Sequence, residues 1–213
     1  MDITLAGFAL VALLTIATPG PTVLLALTNG SRYGMHQAGY GMLGAAASDL
    51  VLIGAAALGL GALLAASEFW FSVVKGIGVI YLAYIGIQIL RPSGDAGTAG
   101  TACDGDGVRG RALSRRLFRK SFLVAATNPK GYLFFAAFLP QFVDTSAPIA
   151  TQYATLAATF VLIDLAVMAI YAGLGSHAAR HLQGAGVRWM EGGCGAVLLA
   201  LAGVLALYRR QPL

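Results

Sequence analysis

The sequence predicts an all-α membrane protein of six transmembrane helices, arranged as two inverted three-helix repeats with helices one and four broken at proline motifs. Three observations carry that prediction. Hydrophobic residues make up 58% of the 213 positions and charged ones only 11%, with a mean hydropathy of +0.76, whereas a soluble domain of this size exposes far more charge. Six apolar runs, at 3–28, 38–66, 70–90, 117–143, 150–175 and 187–208, each reach the roughly 20 residues that a bilayer core requires. The chain also reads as if written twice. Pro19-Gly20-Pro21 interrupts the first run and Asn128-Pro129-Lys130 the fourth, and a lone aspartate follows in the next run, Asp49 and then Asp164. Gly76, Gly78, Leu82, Gly86 and Leu90 are answered by Gly193, Gly195, Leu199, Gly203 and Leu207, so the three features recur at steps of 110, 115 and 117 residues. Three spans per copy is an odd number, so the second copy enters the bilayer upside down relative to the first.

Span one begins with no Lys or Arg before its apolar run, so it lacks the basic leader of a cleavable signal peptide and is expected to be retained. Within it, Pro19 and Pro21 each remove a backbone donor and clash with the preceding turn, which should stop the helix and free several backbone groups. In lipid such groups survive only against protein or a polar cavity. The half-helix restarting at Thr22 would present free N–H groups and the positive end of its dipole, a setting that suits a carboxylate. A single proline in a membrane helix is usually only a kink; the recurrence of the break in both copies is what points to a site.

In span two, Asp49 sits among alanines and aliphatic residues, and Gly41, Ala45 and Asp49 fall on one small-residue stripe suited to close helix contact. A carboxylate there costs about 2.5–3.5 kcal/mol on insertion scales, so it is expected to face the bundle interior. Removal from water favours the neutral form, which would let the group pick up and release a proton. The simpler alternative is a packing carboxylate hydrogen-bonded to a neighbouring helix. Asp164 in span five has the same character.

Span three closes the first copy, and the whole chain is expected to be one membrane domain over 1–213: repeat one at 1–91, a linker at 92–116 and repeat two at 117–213. The linker opens on Pro92 to Gly100, too poor in apolar residues to fold alone. It then turns into a basic segment from Arg109 to Lys120, whose plainest role is to fix topology against anionic headgroups. In span four, Asn128 and Lys130 add an amide and a cation to the second break, although Lys130 also suits snorkelling to the cytoplasmic surface.

Charge placement orients the chain. Arg32, then Arg91, Arg109, Arg111, Arg115, Arg116, Arg119 and Lys120, then Arg180 and Arg188 fall on one side, against Arg209 and Arg210 at the tail and Lys75 just inside span three. The positive-inside rule puts the linker in the cytoplasm and both termini outside. Cys103 in the linker and Cys194 in span six form no CxxC or Cys/His cluster, so neither a disulfide framework nor a metal site is expected.

The chain resembles the LysE/RhtB family of amino-acid exporters over essentially its whole length. The resemblance rests on Thr18-Pro19-Gly20-Pro21, Gly30-Ser31-Arg32-Tyr33-Gly34, Asp49, Lys75-Gly76, Tyr81 to Gly86, Asn128-Pro129-Lys130, Phe134-Phe135 and Phe138 to Phe142. It implies a six-helix protein of the bacterial inner membrane that exports an amino acid or close derivative and needs no cofactor. It does not transfer the substrate, since members with these motifs export different amino acids.

The expected substrate-binding set is therefore Pro19, Gly20, Pro21 and Thr22 with Asn128, Pro129 and Lys130, and the expected proton-coupling residues are Asp49 and Asp164. The partners are an amino acid, a proton and the bilayer; monomer and homodimer both stay open. A divalent-cation exporter would want His, Asp or Met clustered in the spans, whereas His36, His177 and His181 lie in loops or at helix ends. A thiol-redox carrier would want paired cysteines at the breaks, and neither break contains one.

Overall fold

The computed structural model describes residues 2–59, 68–90, 107–144, 146–181 and 185–207, and the regular elements among them are all helical. Helix α1 (Asp2–Ala17) stops where Thr18 folds its hydroxyl back onto the Leu14 carbonyl at 2.9 Å and Pro19 offers no N–H to continue the ladder. Helix α2 (Pro21–Ala57) restarts three residues later with Pro21 in its first turn, where a proline is pre-organised, behind an extended Gly20.

Helix α2 is two rods. Gly34 has φ +76° and ψ 169°, a left-handed setting that only glycine adopts freely, and open space surrounds it, so backbone conformation alone calls for glycine there. The rod before it completes the first apolar run and the rod after it carries the second as far as Ala57, with 60–66 outside the described residues. Gly59, again at φ +76°, follows the end of the second rod, and its N–H bonds to the Ala56 carbonyl at 2.9 Å.

Helix α3 (Glu68–Leu90) ends the first half of the chain, and α4 (Gly107–Ala126) begins the second. Because α4 starts at Gly107, the basic residues of the 92–116 linker that lie in it form the opening turns of a helix, while 91–106 fall outside the described residues. Composition gave no hint of this. The helix is held by tertiary contact rather than by its own apolarity: Leu117 is buried, and the Phe118 carbonyl lies so close to Gly44 that a Cβ there would overlap it.

A one-and-a-half-turn helix α5 (Pro129–Leu133) follows, capped by Asn128, whose Oδ1 accepts from the Lys130 N–H at 3.1 Å. It widens into a π-helical turn at Phe134–Phe138 and tightens into a 3₁₀ turn at Leu139–Phe142. The connection to helix α6 (Ile149–His181) is clasped by Gln152, which accepts from Asp144 N and donates to Asp144 O, both at 2.8 Å. Helix α7 (Ala185–Leu207) closes the chain.

Helix α2 is the centre of the bundle, packing most extensively on α6 and then on α4, while α3 pairs with α7. Small residues set these distances. A Cβ on Gly30 would overlap the Ala172 carbonyl, and one on Gly175 the Leu27 carbonyl, so α2 and α6 touch backbone to backbone. Between α3 and α7 the contact is reciprocal. Gly86 faces Leu199 and the Gly195 carbonyl, and Gly195 faces Leu90 and the Gly86 carbonyl. In packing, then, Gly86 answers Gly195, whereas the sequence pattern aligned it with Gly203, which has open space around it.

One apolar core gathers Phe8, Phe134, Phe135, Leu139, Phe160 and Met168; a second gathers Leu25, Leu82, Ile85, Val124 and Leu198. The outer face is apolar too, with Ile80 73%, Leu162 67% and Trp189 83% exposed. Such a surface is far from what a protein in water presents. Helices Pro21–Ala57 and Ile149–His181 are each long and apolar enough to cross a membrane. Arg32 ties the Gly34 corner to the α3–α7 pair, donating to Glu191 at 2.9 Å and to the Ile89 carbonyl at 2.8 Å, while Ser31 reaches the other Glu191 oxygen.

Candidate functional site

A helix that stops leaves carbonyls without partners at its C-terminal end and N–H groups without partners where it restarts. Both kinds of end meet in the middle of this molecule. The carbonyls are closed by side chains: Tyr171 donates its hydroxyl to Ala17 O at 3.3 Å, the Lys130 ammonium donates to Thr18 O at 3.0 Å, and Tyr132 donates to Ala126 O at 2.6 Å. Thr127 turns back onto Leu123 O at 2.7 Å just as Thr18 does onto Leu14 O. Lys130 thus spans from the start of α5 to the end of α1.

The N–H ends differ. At α5 the Asn128 side chain takes the Lys130 N–H, and its carbonyl takes the Gly131 N–H at 3.1 Å. At α2, Gly20 has no side chain to give; its carbonyl takes the Leu24 N–H at 3.0 Å, and the N–H groups of Thr22 and Val23 have no acceptor within the helix.

These ends surround a small cavity of about 40 Å³ lined by Thr15, Ile16, Thr18, Gly20, Thr22, Val23, Asp49, Ala125, Asn128, Lys130, Gly131, Phe134, Phe160 and Asp164. Six residues singled out in the sequence therefore share one space: Gly20, Thr22, Asn128, Lys130, Asp49 and Asp164. Pro19 and Pro21 do not line it; Pro19 is exposed and Pro21 buried, and both act through the backbone they shape. Pro129 opens α5.

Asp49 and Asp164 are 9% and 5% exposed and lie within electrostatic reach of one another. A carboxylate can only accept, so two such groups can hydrogen-bond one another only when one of them carries a proton. Lys130 lies within electrostatic reach of Asp164. The cavity thus brings together two carboxyl groups, one amine and the uncapped start of α2, groups suited to a cation and to an anion respectively. About 40 Å³ accommodates two or three waters, so anything larger enters only as the helices part.

Thr15, Tyr132, Tyr171, Phe134 and Phe160 were not singled out as site residues by sequence. The need for donors at the orphaned carbonyls was foreseeable from the breaks; which tyrosine supplies them, in Tyr171's case from 154 positions away, was not.

Comparison with known proteins follows the same lines. The family described as LysE type translocator matches residues 13–209. An uncharacterized membrane protein of Vibrio cholerae serotype O1 is 32% identical, over 83% of each chain. A homoserine/homoserine lactone efflux protein of Salmonella typhi is 30% identical over 84% of this chain and 83% of its own. A leucine efflux protein of Enterobacter sp. is 28% identical over 81% and 79%. No solved structure matches the chain significantly. On a family match spanning nearly the whole sequence, the protein is a translocator rather than an enzyme, and the chain belongs to the LysE type translocator family.

Proposed function

We propose that the protein exports an amino acid or close derivative across the bacterial inner membrane, and that inward movement of a proton drives the export. The observation that carries this is the convergence of Asp49, Asp164, Lys130 and the uncapped Gly20–Thr22 turn on one cavity. A zwitterion fits both ends. Its carboxylate would meet the N–H groups of Thr22 and Val23 and the Lys130 ammonium, and its ammonium would meet the Asp49–Asp164 pair. Ile16, Val23, Phe134 and Phe160 make the rest of the lining apolar, which suits a neutral side chain. The efflux relatives, named for homoserine, homoserine lactone and leucine, support the same class.

The substrate ammonium and the coupling proton compete for the same two carboxyl groups, which couples their movements. Six spans in two inverted repeats, rocking about the broken helices, would alternate access. Support for that symmetry comes from the reciprocal Gly86–Gly195 contact and from the matched Thr18 and Thr127 turns. Reconstituted protein, loaded inside with a panel of labelled amino acids and given an opposing pH gradient, should move neutral members uphill and lose that movement when a protonophore collapses the gradient. Equal efflux with and without the gradient would refute proton coupling; no efflux of any amino acid would refute the substrate class.

A further inference from the structure

A larger recess than this cavity lies elsewhere. A groove of about 540 Å³ runs between α3 and α4, lined on one side by Tyr81, Tyr84, Ile85 and Gln88 and on the other by Arg111, Arg115, Arg116, Arg119 and Lys120 above Leu123. Positions 111, 115 and 119 follow one another at helical spacing, with 116 and 120 beside them, so five cations share one face over about 14 Å of helix.

These charges crowd one another. Lys120 lies within electrostatic reach of both Arg32 and Arg116. Among the described residues the one ion pair is Arg32–Glu191, so no carboxylate there neutralises the five groove cations. Like charges held together without a counter-charge are stabilised by an anion with several acceptor oxygens. The floor below them is apolar and aromatic. Tyr81 and Tyr84 are stacked at 6.4 Å, and Tyr84 is 57% exposed on the face where Ile80 and Ile77 also point outward. A basic rim over an apolar, outward-facing floor matches a headgroup joined to acyl chains better than a free anion.

We propose that the α3–α4 groove is a binding site for the phosphate headgroup of an anionic phospholipid of the leaflet it faces. Its acyl chains lie against Tyr84 and the outer face of α3. Helix α4 connects this groove to the candidate site, since it packs on α2 at Gly44 and runs to Thr127 and Asn128. An occupied groove would therefore steady the helix that carries the second break.

Native mass spectrometry of the full chain, extracted from nanodiscs of equal phosphatidylglycerol and phosphatidylcholine, tests this apart from any transport assay. Wild type should retain the anionic lipid preferentially. Each basic residue near a membrane surface contributes about fivefold, so Arg115→Gln with Arg119→Gln should lower retention roughly 25-fold. Arg180→Gln, outside the groove, should leave it unchanged. Equal retention by the double variant would overturn the proposal. So would retention only after Asp95→Asn, Asp104→Asn and Asp106→Asn, which would make the acidic linker the occupant. Saturable binding of inorganic phosphate with no lipid preference would overturn it as well.

Discussion

Asp49 and Asp164 line one cavity, and replacing either by asparagine separates hydrogen bonding from ionisation. Asparagine keeps the volume and can both donate and accept. A purely structural pair would therefore tolerate Asp49→Asn with near-normal export. We expect instead that Asp49→Asn drops gradient-driven export to background, retains downhill exchange and flattens the pH dependence of transport. Asp164→Asn should act in the same direction. It should also weaken exchange, because Lys130 then loses its electrostatic partner in the cavity. Wild-type uphill export by the Asp49→Asn protein in proteoliposomes would remove Asp49 from the coupling. Both aspartates were legible in the sequence because a carboxylate in an apolar run is costly anywhere but an interior site. Their meeting in one cavity was not, since nothing local to either says that α2 and α6 turn these faces to each other.

At the scale of elements, the gap between α1 and α2 carries the binding hypothesis. Pro19→Ala, Gly20→Ala and Pro21→Ala together restore the two missing donors and a helix-forming residue, and a Cβ at Gly20 would meet Lys130 and Thr18 O only at 3.8 Å, an ordinary contact. The triple variant can thus close the gap. It should insert and elute as a monodisperse protein yet lose substrate efflux, because the Thr22 and Val23 N–H groups become bonded within a continuous helix. Normal efflux would reduce the interruption to a kink. Proline chemistry is what marked Pro19-Gly20-Pro21 and Asn128-Pro129-Lys130 in the sequence. A turn was also expected between the runs that end at 28 and begin at 38, and Gly34 makes it; that a single glycine corner joins two otherwise continuous rods was not legible, because only its positive φ shows it. The helix over 107–116 was missed for a related reason: it is stabilised by packing on α2 rather than by its own apolar stripe.

For the whole molecule, orientation decides which end of the cavity meets the cytoplasm and thus whether the described path is one of export. In a six-span arrangement ten of the Lys and Arg residues would fall on the side of the linker, against two at the tail, and short-loop cations set topology more strongly than any other residue. Two inverted three-span halves would then put both termini on the opposite face. The chain carries its own probe. Cys103 lies in the linker, while Cys194 is buried in α7. A membrane-impermeant thiol reagent should leave Cys103 unlabelled in intact spheroplasts and label it once the membrane is opened. Gln211→Cys in a Cys103→Ser background should label in both states. Labelling of the tail only after permeabilisation would place the C-terminus in the cytoplasm. An even number of crossings between linker and tail would follow, and the inverted three-span repeat that makes the α1–α2 and α4–α5 interruptions equivalent would fail.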